Sequence, residues 1–109
     1  MGRLIDVIEN RWSPRAFDTR DVEMIKLEKL FEAARRSPSS NNEQPWRFIL
    51  GIKSKNTAYI KLFDALNEFN QNWAVHAPVV GVVIGQENFT KNGSPNPHHV
   101  YDSGQALAY

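Results

Sequence analysis

Cysteine is absent from the 109-residue chain, which excludes disulfides, thiolate nucleophiles and cysteine-ligated zinc or iron–sulfur centres. That absence is compatible with a reducing compartment. Long apolar runs are absent too: the longest, Ala77 to Gly85, falls far short of the ~20 residues that a spanning helix needs. The N-terminus carries no apolar region of signal-peptide type, so a cytoplasmic chain without a membrane partner is the default expectation. A charge surplus is missing as well. Thirteen Lys and Arg stand against twelve Asp and Glu, and a net +1 gives no field for steering a polyanion, so no nucleic-acid partner is expected. The local cluster Arg11, Arg15 and Arg20 can still hold a single phosphate. No GxGxxG, P-loop, GxSxG or HExxH pattern occurs. His98 and His99 are adjacent, point to different sides of a helix and have no acidic partner at ligand spacing, so no metal site is expected. His76 reads as an ordinary satisfied or exposed histidine.

What is present is the composition of an ordinary globular protein, 41% hydrophobic and 11% aromatic, and a length that allows one domain over 1–109. Helical spacing of Leu4, Ile5, Val7 and Ile8 predicts a short helix from Gly2 to about Arg11, closed by Ser13-Pro14. Leu27, Leu30, Phe31 and Ala34 recur at i, i+3, i+4 and i+7, predicting an amphipathic helix from about Val22 to Arg36 that Ser37-Pro38 ends. The run "RFILGI" after Pro45 predicts a buried strand. Tyr59, Leu62, Phe63, Leu66 and Phe69 predict a helix over Asn56 to Phe69, with Asn70-Gln71-Asn72 as its exit. "VVGVVIG" predicts a second strand, and "ENFTKNGSPNPHH" a long loop turning at Asn-Gly. A last helix begins near His98 and runs in mid-pattern to Tyr109 without a cap, which suggests a chain truncated at its C-terminus. Taken alone, strand–helix–strand points to a parallel pair with a right-handed crossover.

Two stretches carry candidate chemistry. "RWSPR", Arg11 to Arg15, places two guanidiniums and the Ser13 hydroxyl within five residues, a donor set suited to phosphate or carboxylate. The plain alternative is a solvated helix end with its arginines paired to Asp6 or Asp18. "RRSPSSNNEQPW", residues 35–46, offers three hydroxyls and the amides of two asparagines ahead of an apolar strand, enough orientable groups to line a flat heteroaromatic ligand. Each of its residues also has a plain reading: helix stop, local cap, or, for Trp46, core. Trp12, Trp46 and Trp73 read first as core or interface side chains.

Taken together, "RWSPRAF" and "AARRSPSSNNEQPWRFIL" closely resemble the two N-terminal motifs of the nitroreductase family, R-R-S-x-R-x-F and A-R-x-A-P-S-S-x-N-x-Q-P-W. "NQNWAVHAPVVGVVIG" and "NGSPNPHHVYDSGQALAY" are similar to that family as well, so the resemblance covers the whole chain but about the first half of a family member. It implies an α+β sandwich with a mostly antiparallel central sheet flanked by helices, against the parallel pair suggested by pattern. It also implies FMN at a homodimer interface, with NAD(P)H as reductant and a nitroaromatic, quinone or related small molecule as acceptor in ping-pong order. By motif, Arg11 would contact the FMN phosphate, Ser13 the phosphate and ribityl end, and Arg15 the ribityl and pyrimidine edge. Pro38, Ser39, Ser40 and Asn42 would come from the partner subunit and line the isoalloxazine ring, and Asn70 would meet its pyrimidine part. No side chain is implied as a nucleophile. Trp12 replaces a commoner basic residue, and Trp73 stands where some relatives carry a flavin-contacting lysine. The competing expectations are a flavin- or phosphate-binding module without turnover, and an interaction domain with exposed apolar helix faces.

Overall fold

A computed structural model describes residues 2–109. Its elements, in chain order, are α1 (Asp6–Glu9), α2 (Met24–Arg35), a 3-10 turn (Ser40–Asn42), β1 (Trp46–Ile52), α3 (Ala58–Asp64), α4 (Glu68–Ala74), β2 (Val79–Gly85) and α5 (His99–Ala108). The two strands pair antiparallel in a register that runs from Trp46 opposite Gly85 to Ile52 opposite Val79. This overturns the parallel pair that the alternation of elements suggested and agrees with the antiparallel sheet that the family resemblance implied.

The reason lies in the connection. The expected helix over 56–69 is two helices of seven residues each, α3 and α4. Asn67 caps α4 by accepting the Asn70 N–H at 2.9 Å, and Gln71 Nε2 donates to the Phe63 and Leu66 carbonyls at 3.3 and 2.9 Å. Each helix is only about 10 Å long, less than half the ~23 Å of a seven-residue strand, so neither carries the chain back along the sheet. The chain therefore re-enters beside the point where it left, with Lys53 N–H donating to the Pro78 carbonyl at 3.0 Å. The segment 70–72, expected as a helix exit, lies inside α4.

Helices cover both faces of the strand pair. Trp46, Phe48, Leu50 and Ile52 share one face by strand alternation, and there Phe31 of α2 meets Phe48 with ring centroids 5.2 Å apart. Helix α5 rests on the same face at Gly85, where a side chain would crowd the His99 carbonyl and Ser103 Oγ, both at 3.1 Å. On the opposite face α3 sits directly on Gly51. Tyr59 of α3 is buried and donates its hydroxyl to the Ala77 carbonyl at 2.8 Å.

The expected first helix shrinks to the single turn of α1, because Leu4, Ile5, Val7 and Ile8 are all exposed and no apolar partner supports a longer helix. The expected turn at Asn92-Gly93 forms, with Gly93 at φ +70° and an isolated bridge between Asn88 and Pro95. Of the eight hydrophobic residues buried among those described, four are alanine. The chain exposes 8461 Å², whereas a self-contained domain of 12.5 kDa exposes roughly 6,200 Å². Its radius of gyration, 16.2 Å, likewise exceeds the about 13 Å of a compact domain of this length. Among the described residues no helix is long and apolar enough to cross a membrane.

Candidate functional site

The first group of motif residues lies in the extended arm that joins α1 to α2. Ser13-Pro14 prevents helix from continuing, so the backbone of residues 11–17 runs over the surface and presents its side chains outward. Arg11, Ser13 and Arg15 are all exposed. Arg11 Nη1 reaches Ser13 Oγ at 3.4 Å, and the Arg15 guanidinium lies 5.9 Å from the centre of the Phe69 ring on α4. Neither arginine forms an ion pair among the described residues. Of the two acids expected as their alternative partners, Asp18 binds Arg20 at 2.7 Å, and Asp6 forms no ion pair among the described residues. The Arg20 backbone N–H, with its guanidinium in support, holds the Asp18 carboxyl below its usual range.

Asn70 joins this group through aromatic contacts. Phe17 stacks on Trp73 at 5.9 Å, Trp73 Nε1 donates to Asn70 Oδ1 at 3.2 Å, and Phe69, beneath Arg15, is the residue before Asn70. Trp73, expected as core or interface, is half-buried and fixes the Asn70 amide. An open groove of about 760 Å³ runs from Phe17 past Trp73 to Pro78–Gly81, but none of Arg11, Ser13, Arg15, Pro38, Ser39, Ser40, Asn42 and Asn70 lines it.

The second group, Pro38, Ser39, Ser40 and Asn42, sits in the loop between α2 and β1. The loop owes its shape to local polar chemistry. Asn41, Asn42 and Gln44 have φ of +54°, +52° and +52°, a region that asparagine tolerates better than most residues. Ser39 Oγ accepts the Gln44 N–H at 2.9 Å, and Gln44 Nε2 donates to Asn42 Oδ1 at 3.1 Å. Part of the polar density of "SPSSNNEQPW" is thus turn chemistry, and Trp46 is core. Pro38 and Asn42 stay exposed, Ser39 and Ser40 half-buried.

Several bonds hold the loop to the body of the molecule, among them one from Arg47 Nη1 on β1 to the Gln44 carbonyl at 3.0 Å. Ser40 N–H donates to Asp102 Oδ2 on α5 at 2.9 Å, and Thr90 N–H donates to Glu43 Oε1 at 2.7 Å. Sequence reasoning missed both acids. The available signal was an aspartate one turn before Ala106, on what proves to be the buried stripe of α5. Among the described residues no hydrogen bond, ion pair or ring contact links the 11–15 group to the 38–42 group. A single chain therefore presents two groups of candidate residues with no such link between them: a cationic arm with Asn70, and a hydroxyl- and amide-bearing loop.

Solved structures share this arrangement of elements. An oxidoreductase containing FMN superposes with a TM-score of 0.85 and 32% identity, over 99% of this chain and 56% of that one. A nitroreductase family protein from Clostridium difficile 630 superposes with a TM-score of 0.70 and 26% identity, over 96% of this chain and 58% of that one. In sequence, the major NAD(P)H-flavin oxidoreductase of Aliivibrio fischeri is 35% identical over 72 residues, 62% of this chain. The chain spans about a third of the length of the curated relatives it matches. The sequence pattern of the nitroreductase family matches residues 8–89, which take in the arginine arm, the Ser-Asn loop, both strands and Asn70, and the chain belongs to that family.

Proposed function

We propose that the full-length protein is an FMN-dependent oxidoreductase. It carries electrons from NAD(P)H to a nitroaromatic, quinone or related small acceptor, and works as a homodimer with flavin sites shared between subunits. The observation that carries this reading is the pair Arg11 and Arg15, which lack ion-pair partners among the described residues although Arg3, Arg20, Arg35 and Arg36 all have one. Two uncompensated guanidiniums with a hydroxyl between them form a donor set that fits a phosphate dianion. The likeness to an FMN-containing oxidoreductase supports flavin as the owner of that phosphate, and the Aliivibrio fischeri relative supports NAD(P)H as reductant.

In this reading Arg11 and Ser13 hold the phosphate, and Arg15 lies toward the ribityl and pyrimidine edge. Asn70, its Oδ1 already taken by Trp73, keeps its amide N–H groups for the pyrimidine carbonyls. Pro38, Ser39, Ser40 and Asn42 of a second copy wall the ring. FMN, when bound, supplies reversible two-electron chemistry, so donor and acceptor can use one face in ping-pong order and no side chain need attack. Preorganised positive charge from Arg15 lowers the energy of negative charge that gathers at the pyrimidine edge. The homodimer is supported by the lack of a link between the two groups among the described residues and by the exposed arm, whose Trp12 is 71% exposed. The surface excess of about 2,300 Å² over a self-contained domain is surface left for the rest of the full-length chain and a second copy to cover.

The test is flavin titration of the full-length protein, followed by anaerobic addition of NADH or NADPH. A yellow dimer that bleaches is expected. Arg11→Ala is expected to weaken FMN binding by roughly 10- to 100-fold, since bonds to a charged group contribute about 1.5–3 kcal/mol. Among the described residues its exposed side chain hydrogen-bonds Ser13 alone, so the melting temperature of the apoprotein should stay put. Colour without bleaching would reduce the protein to a binding module, and unchanged affinity in Arg11→Ala would remove that residue from the site.

A further inference from the structure

Asp102 is a buried carboxylate, 5% exposed, that forms no ion pair among the described residues. Its recorded side-chain bond is the one that Oδ2 accepts from the Ser40 backbone N–H at 2.9 Å, across 62 positions of sequence. Placing an unpaired carboxylate in the interior is unfavourable unless it does something that a neutral residue cannot. The group it holds is the first residue of a turn with three left-handed, non-glycine conformations at Asn41, Asn42 and Gln44. Such conformations persist only where surrounding bonds fix them. The other bonds near the turn are internal to it, from Gln44 to Ser39 and Asn42, or hold its C-terminal end, from Thr90 to Glu43 and from Arg47 Nη1 to the Gln44 carbonyl at 3.0 Å. Asp102 alone ties the turn by a hydrogen bond to α5, and α5 is itself seated on the sheet at Gly85.

We infer that Asp102 is a positioning residue: it sets the height and orientation of the Ser39–Asn42 turn, and through it the wall that the turn offers to the flavin. This rests on the flavin reading above. Asp102 touches neither cofactor nor reacting atoms. A charged acceptor grips the Ser40 N–H more tightly than a neutral one, which keeps a strained turn in one conformation.

The experiment compares the full-length protein with Asp102→Ala and Asp102→Asn. It measures FMN affinity, the visible circular dichroism of bound flavin, and hydrogen exchange of amides 38–45. Asp102→Ala is expected to weaken FMN binding about 10- to 100-fold, alter the flavin dichroism and speed exchange in 38–45 while α2 stays protected. Asp102→Asn retains an oxygen for Ser40 but not the charge, and is expected to hold affinity within about threefold of the parent while exchange in 38–45 falls between that of the parent and that of Asp102→Ala. Equal affinity, dichroism and exchange in all three proteins would overturn the inference. If Asp102→Ala does not fold, Asp102→Asn decides alone: faster exchange confined to 38–45 supports the assignment, and parental exchange there refutes it. A parent protein that takes up no FMN would remove the flavin reading, and the exchange comparison would still show whether Asp102 holds the turn.

Discussion

Replacing Gly51 by alanine tests the seat on which α3, and with it α4 and Asn70, is placed. The added methyl would lie 2.3 Å from Tyr59 Cα, 2.7 Å from Tyr59 N and 3.1 Å from Ala58 C. All three are backbone atoms, so no side-chain rotation relieves the clash. Since carbon atoms pack at about 3.5–4.0 Å, α3 must withdraw from β1 by more than about 1 Å. That retreat stretches the buried bond from the Tyr59 hydroxyl to the Ala77 carbonyl, now 2.8 Å, beyond hydrogen-bonding distance. Overpacking of this kind costs about 1–3 kcal/mol, and the lost bond about 1 kcal/mol more. The expected loss is therefore about 3 kcal/mol, a large share of the ~5–15 kcal/mol that stabilises an ordinary domain. Urea unfolding of the full-length protein, followed by far-ultraviolet circular dichroism, reads it directly. Gly104→Ala on α5 is the matched control, because nothing lies within 4 Å of that position and alanine favours a helix over glycine by about 1 kcal/mol. If Gly51→Ala unfolds within ~0.5 kcal/mol of the parent, α3 does not rest on β1 as described.

Burial raises the pKa of the Tyr59 hydroxyl above its ordinary 10.0. A raised folded-state value means that this stability is complete below about pH 10, the unfolded value, and is lost as pH rises through the folded one. Tyr59→Phe should therefore cost about 1–2 kcal/mol near neutrality, from the unpaired Ala77 carbonyl, and the gap to the parent should narrow above about pH 10; a gap constant up to pH 11.5, roughly 1.5 units above the unfolded value, would contradict the assigned burial. Asn41, at φ +54° and with no side-chain hydrogen bond among the described residues, should accept glycine with little change. Asn41→Val should cost about 1–3 kcal/mol, because a branched side chain resists that conformation. Equal melting temperatures for the two Asn41 variants would show that the turn is not held at positive φ.

Much of the fold was legible because its signals are local. An apolar run behind Pro45, another behind Pro78 and an unbroken stripe from Leu27 to Ala34 each specify one element by their own residues. The direction of the second strand was not legible from pattern, since it depends on where the connection ends. Leu66 and Phe69 continue the stripe of Tyr59, Leu62 and Phe63 in phase, so the periodicity runs straight across a break that Asn67 makes by capping. Periodicity reports which residues would share a face if the helix continued. It does not report whether the backbone continues, and here one cap reverses the topology. The short α1 fails for a related reason: helical spacing needs a partner surface, and Leu4 to Ile8 have none among the described residues.

At the site, residue density proved a poorer guide than charge compensation. The Ser-Asn loop is crowded with polar groups, yet Asn42 and Gln44 bond each other and Ser39 bonds the Gln44 amide, as a strained turn requires. By contrast the meaning of the arm lies in which of its arginines lack an acid. Arg20 takes Asp18, and Arg35 and Arg36 share Glu32, whose carboxyl Arg35 chiefly lowers. Those pairs are three, four or fewer residues apart and could be guessed from sequence. That Arg11 and Arg15 remain uncompensated could not, because it required knowing that neither Asp6 nor Asp18 turns toward them. The same reasoning sets Asp102 apart from the other acids: a buried carboxylate answered by a single backbone amide is compensated by the strained turn it holds, and that relation between α5 and the loop exists only in three dimensions.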